Sequence, residues 1–111
     1  PFILSGGMVE EEKPTYDRIT KQKYRSLYEV YVARFLHFNS ILFQYERYTV
    51  PVGNKCYTPD FFLPEWTLFL EVKGLWASNA KWKFEKAQEK VDLILLPSYM
   101  QKYFAQKYKD V

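Results

Sequence analysis

Three charged residues stand where charge is costly. Asp60, Glu71 and Lys73 lie in the run from Tyr57 to Gly74, YTPDFFLPEWTLFLEVKG, among aromatic and aliphatic neighbours. Charged side chains are seldom fully buried unless they are paired or bound to a metal. Read as a strand, Thr67 to Lys73 projects Glu71 and Lys73 from one face, about 6–7 Å apart. Asp60 lies on the preceding strand across a tight Pro64-Glu65 connection, so the two carboxylates can sit opposite one another. Paired carboxylates at a strand end suit a hard divalent cation, Mg2+ or Mn2+, that keeps waters and takes up phosphate oxygens. The carbonyl of Val72 could add a ligand. The chemistry this suggests is phosphodiester hydrolysis, in which a metal polarises the phosphoryl oxygen and activates water. Lys73 would orient or deprotonate that water, or offset charge on phosphorus. An ammonium beside two carboxylates stays charged, which favours positioning and electrostatic stabilisation. An ion pair of Lys73 with Glu71 or Asp60 accounts for the spacing equally well, because Asp-x(10)-Glu-x-Lys is a loose pattern.

The elements that must hold these residues are read from periodicity. Thr20 is a good N-cap for a helix reaching Phe38, with Tyr24, Leu27, Tyr28, Tyr31, Phe35 and Phe38 as its apolar stripe. Glu29 falls off that stripe, with Ser26 and Ala33 on a flank of small side chains, and reads as a solvated glutamate. Ile41 to Val50 alternates as a strand, Pro51 to Asn54 is a turn, and a second strand runs from Cys56 to Leu63. Pro59 inside it marks an edge, a bulge or an irregular start. In the third strand Leu68, Leu70 and Val72 share one face, and Phe69, Glu71 and Lys73 share the other. Ser78 caps a helix over 79–90, and Val91 to Leu96 is apolar enough for a strand buried on both faces. Strand, helix and strand then form a parallel βαβ crossover. Ser98 caps a last amphipathic helix with Tyr99, Tyr103 and Phe104. The result is an α/β fold with a mixed sheet flanked by helices.

The bulk properties permit this chemistry without demanding it. The 111 residues carry a net charge of +3, and 48% are hydrophobic and 26% charged, as in one ordinary globular domain. A mild positive balance allows a polyanionic partner. A single cysteine, Cys56, excludes an intramolecular disulfide and fits an intracellular, reducing location. With one histidine, His37, it also excludes a structural zinc site. Apolar runs are too short to span a bilayer. Residues 1–7 read as a cloning scar and 8–19 as a polar lead-in, leaving 20–111 as the domain.

Pro59-Asp60 followed by Glu71-Val72-Lys73 resembles the signature of the PD-(D/E)XK nuclease superfamily, whose restriction-endonuclease-like αβββαβ core matches the element order read here. Within it, Tyr57-Thr58-Pro59-Asp60-Phe61, Leu63-Pro64 and Glu71-Val72-Lys73-Gly74-Leu75-Trp76 are similar to the phage T7-type endonuclease I family of Holliday-junction resolvases. Phe43-Gln44-Tyr45-Glu46 and Val50-Pro51 resemble the strand before that motif. The resemblance implies a Mg2+-dependent endonuclease acting on duplex or branched DNA. Asp60 and Glu71 would ligate metal, Lys73 would serve the attacking water, and Glu29 would be the helix glutamate that reaches a second metal. That reverses the solvated reading of Glu29, since Ser26-Leu27-Tyr28-Glu29 is similar to the family's helix motif. A segment between Glu46 and Tyr57 that looks shorter, and a basic C-terminal extension that is missing or cut short, depart from the pattern of an exchanged dimer and of four-way-junction selectivity.

Around the site, Tyr57 and Thr58 are expected to touch the scissile backbone, and Lys81, Lys83 and Trp82 to contact DNA. Trp76 reads as packing, Trp66 as a hairpin cover, His37 as a surface residue and Cys56 as a packed thiol. Symmetric cutting of two strands calls for a homodimer. The competing readings are a sequence- or site-specific nuclease of the same chemistry (homing, transposon-end or mismatch-nicking), a non-catalytic nucleic-acid-binding module on the same fold, and a structural ion-pair network.

Overall fold

A computed structural model of the chain describes residues 14–72 and 78–111. Its centre is a four-stranded mixed sheet in the order β3-β6-β7-β8. The strands are β3 (Gln44–Tyr45), β6 (Phe61–Leu63), β7 (Leu68–Glu71) and β8 (Leu93–Leu95). β3–β6 and β6–β7 pair antiparallel, while β7–β8 pair parallel across helix α2 (Ser78–Gln88), as the βαβ reading requires.

The alternation read for the third strand is what divides the core in two. Phe61, Leu63, Leu70 and Val72 pack against α1 (Leu27–Phe38) and α3 (Ser98–Tyr108) through Val30, Ala33, Leu36, Phe104 and Tyr108. Phe69 and Leu93 on the opposite face meet Phe84 and Ala87 of α2. They also meet Val50, Val52 and Tyr57 of a separate hairpin, β4 (Val50–Val52) with β5 (Lys55–Tyr57). Gly53, at φ +64, makes the turn of that hairpin in a conformation glycine adopts without strain. The order α1, β3, β6, β7, α2, β8 is the expected αβββαβ core in three layers. Among the described residues no helix is long and apolar enough to cross a membrane.

Several boundaries differ from the sequence reading, each for a physical reason. The first helix starts at Leu27 with Ser26 as its N-cap, whose hydroxyl accepts the Glu29 amide at 3.2 Å. Thr20 instead serves a hairpin, β1 (Thr15–Asp17) with β2 (Gln22–Tyr24), where its amide and hydroxyl bind the Asp17 carboxylate. The end of the expected lead-in is therefore part of the packed domain; the proposed scar lies outside the described residues. Tyr24 is fully buried in β2 rather than on a helical stripe. In α1 the residues closest to the core are Val30, Val32, Ala33 and Leu36, whereas Leu27, Tyr28 and Phe38 are exposed. The helix turns its small and aliphatic flank most fully inward, while Tyr31 and Phe35 pack at the margin of the same core.

The strand expected over 41–50 is broken at Glu46, whose φ of +48 turns the chain out of the sheet towards β4. The 56–63 strand is likewise two strands in two sheets, separated at Thr58-Pro59-Asp60, where proline cannot donate to a ladder. β8 is an edge strand, so Ile94 is exposed rather than buried on both faces. At α3, Pro97 occupies the cap position and Ser98 is already helical. Its buried side is Gln101, Phe104 and Tyr108, with Tyr99 and Tyr103 outside.

Candidate active site

The β6–β7 register pairs Phe61 with Leu70, so one further step sets Asp60 opposite Glu71. Alternation turns both away from Phe61 and Leu70, towards the layer of α2 and the β4–β5 hairpin. Both are buried, at 4% exposure each. The Asp60 carboxylate accepts the Val72 amide at 2.6 Å, which ties the start of β6 to the end of β7. Glu71 Oε1 accepts the hydroxyl of Tyr57.

Glu29 arrives from the first turn of α1 and is 6% exposed, so its first reading as a solvated glutamate is overturned. Its Oε1 accepts the Tyr45 hydroxyl at 2.6 Å and the Arg25 amide at 2.9 Å. Glu29, Asp60 and Glu71 all line one cavity of about 310 Å³, together with Arg25, Cys56, Tyr57, Thr58, Asn79, Ala80 and Lys83. Among the described residues no three His, Cys, Asp or Glu side chains converge tightly enough to enclose an ion. The carboxylates face a shared space rather than a single point.

The electrostatics favour oxygen-donor chemistry. Burial, reinforced by the bond to Glu71 and the charges of Glu71 and Asp60, pushes the Tyr57 phenol far above the ordinary tyrosine range. Burial and the bond to Glu29 do the same for Tyr45. Both phenols keep their protons and act as donors to carboxylates. Burial would lower the Arg25 guanidinium, but its hydrogen bond to Glu46 and the charge of that residue raise it. The Arg25–Glu46 pair is on the outside, and it also holds the left-handed turn at Glu46. Carboxylate oxygens are the donors that hard divalent cations take. In donor type, these residues suit Mg2+ or Mn2+.

The remaining expected site residues divide clearly. Lys83 and Thr58 line the cavity. Lys81 and Trp82 do not: Lys81 is exposed, and the Trp82 ring lies over Gly53 of the β4–β5 turn. Tyr57 also lines the cavity, largely buried, with its hydroxyl on Glu71. Val72 is in place at the end of β7, its amide taken by Asp60. Lys73 and Trp76 lie outside the described residues. Cys56 is exposed on the cavity wall rather than a packed thiol, His37 is a surface residue, and Trp66 is exposed in the β6–β7 turn. Arg25, Tyr45 and Asn79 were missed. Nothing in the local pattern singles out any of the three, since each is brought to the carboxylates by the fold.

A family model described as phage endonuclease I matches residues 2–94. Endonuclease I of Escherichia phage T7 is 42% identical over 64 residues, covering 54% of this chain and 42% of that protein. Endodeoxyribonuclease 1 of Enterobacteria phage T3 is 41% identical over 64 residues, covering 54% of this chain and 41% of that protein. The matched segment thus spans less than half the length of these relatives. No solved structure matches the chain.

Proposed function

This chain belongs to the phage endonuclease I family, and from that premise we propose that it is a Mg2+-dependent DNA endonuclease, selective for branched DNA. The observation that carries the proposal is the convergence of three buried carboxylates, Glu29, Asp60 and Glu71, from separate elements onto one cavity. Asp60, Glu71 and the Val72 carbonyl would hold a Mg2+ or Mn2+ ion, with Glu29 reaching a second. Such an ion, when bound, supplies Lewis-acid polarisation of a phosphoryl oxygen and lowers the pKa of water. The chain's own residues do the rest. Arg25 and Lys83 on the cavity wall attract the DNA backbone, contacts that position it without reading sequence. Lys73, two residues beyond Glu71, orients the attacking water and offsets charge developing on the phosphoryl group.

Cutting two strands symmetrically calls for two sites, so the active form in this reading is a homodimer. Action inside an infected host cell belongs to the same proposal, supported by the likeness to phage proteins.

Cleavage of four-way, three-way, nicked and linear duplex DNA in Mg2+ tests the substrate class. The branched substrates should be cut well ahead of linear duplex. Equal cutting of linear DNA at defined sequences would instead support a site-specific nuclease. Replacing Lys83 with alanine should weaken DNA binding about equally across sequences and reduce the salt slope of log K by about 1, the signature of one lost phosphate contact. An unchanged slope in a salt titration would remove Lys83 from the interface.

A further inference from the structure

Two carboxylates of the site are held by tyrosines from strands that contribute no carboxylate themselves. Tyr45 of β3 donates to Glu29 Oε1 at 2.6 Å, and Tyr57 of β5 donates to Glu71 Oε1. Neither ring is free to follow its partner. Tyr45 stacks edge-on against Tyr24 with centroids 4.8 Å apart and packs on Phe61 at 5.5 Å. Tyr57 packs edge-on against Phe84 at 6.2 Å and is 9% exposed. The core therefore fixes where each hydroxyl points, and the hydroxyl fixes the rotation of the glutamate. A glutamate has three soft torsions, so an unanchored one would sample many orientations. The Arg25 amide strengthens the arrangement at Glu29, lying 2.9 Å from Oε1 and 3.1 Å from the Tyr45 oxygen.

We propose that Tyr45 and Tyr57 are positioning residues that preset Glu29 and Glu71 to receive a divalent cation. This rests on reading the carboxylates as a cation site. The rival account is that each hydroxyl merely satisfies a buried carboxylate, with no consequence for cation affinity. Groups that orient metal ligands typically change affinity 10–100-fold when removed.

The test uses Tyr57→Phe and Tyr45→Phe, each of which removes one oxygen and keeps the ring packing, with Asp60→Asn for comparison. Melting temperature is followed as Mn2+ is added, since a ligand that binds the folded state raises it. Cleavage is followed over the same concentrations. Without metal, both phenylalanine variants should still unfold cooperatively, at a melting temperature lowered by the lost hydrogen bond to a buried carboxylate. Each metal-induced shift is measured from that variant's own baseline. The Mn2+ concentration giving half the melting shift, and half-maximal cleavage, should rise about 10-fold for each hydroxyl removed. Excess Mn2+ should restore cleavage with the KM for DNA unchanged.

Metal titrations that superimpose on the wild type in both variants, while Asp60→Asn differs, would overturn the positioning role and leave the cation site standing. A wild-type melting curve indifferent to Mn2+ would overturn the cation site and the positioning role together. If one variant fails to fold, the other carries the same test, because the two tyrosines belong to different sheets.

Discussion

Asp60→Asn should lower Mg2+-dependent DNA cleavage by about three orders of magnitude or more, equivalent to roughly 4 kcal/mol of lost transition-state stabilisation. The loss should fall on the chemical step, with DNA binding nearly intact. Asparagine is a cleaner substitution than alanine at this position. The Asp60 carboxylate accepts the Val72 amide within the core. An alanine would leave that buried donor unpaired, at a cost of about 1–3 kcal/mol. An asparagine oxygen can still accept it. Circular dichroism and the melting temperature should therefore match the wild type while single-turnover cleavage collapses. Glu71→Gln should behave alike, since the amide oxygen can still accept from Tyr57.

The second large effect is on stability and lies far from the cavity. Asp17 is 2% exposed, and its Oδ1 accepts two guanidinium bonds from Arg34 of α1, at 2.9 and 3.1 Å. Arg34 also donates to the Tyr108 carbonyl at 2.6 Å, so one side chain joins the β1–β2 hairpin, α1 and the end of α3. Arg34→Ala would strand a buried carboxylate, a change that typically costs about 3–5 kcal/mol. At about 4 °C per kcal/mol for a domain of this size, the melting temperature should fall by about 12–20 °C.

The same clamp sets an acid limit. Burial alone would raise the Asp17 carboxyl, but the bonds from Arg34, the Thr20 hydroxyl and amide, and the Arg34 charge hold it below its ordinary 3.8. A carboxyl depressed in the folded state stabilises the fold fully above its unfolded value. That contribution is lost as pH falls from 3.8 through the lower folded value. Urea midpoints measured from about pH 6 down to about pH 2.5 should fall steeply in the wild type. They should start lower and fall less in Asp17→Asn.

The parts of the fold written in short-range pattern were legible. Alternation over Leu68 to Val72 assigned both faces of β7, and the eleven-residue offset placed Asp60 opposite Glu71. What was not legible depends on contacts distant in sequence. Thr20 and Ser26 are equally good caps in isolation. The choice of Ser26 follows from Tyr24 being buried in a hairpin whose turn is held by Asp17, itself paired with Arg34. The break at Glu46 has no local cause either, since its left-handed turn is held by Arg25 twenty-one residues earlier. The burial of Glu29 follows from a hydroxyl sixteen residues downstream. A helical wheel sees only its own helix, so it returned a solvated side chain. The inward turn of Tyr57 was not legible either, because nothing in YTPDF shows that its ring packs on Phe84 and its hydroxyl reaches Glu71.

The claim that the three carboxylates form a cation site is tested most directly by calorimetric titration of the wild-type protein with Mn2+, beside Asp60→Asn at equal concentration. Saturable binding by the wild type, abolished or weakened at least tenfold in a folded Asp60→Asn protein, is the predicted result. Titrations that coincide for the two proteins, or a wild type that gives no binding heat while cutting DNA undiminished by the substitution, would contradict it.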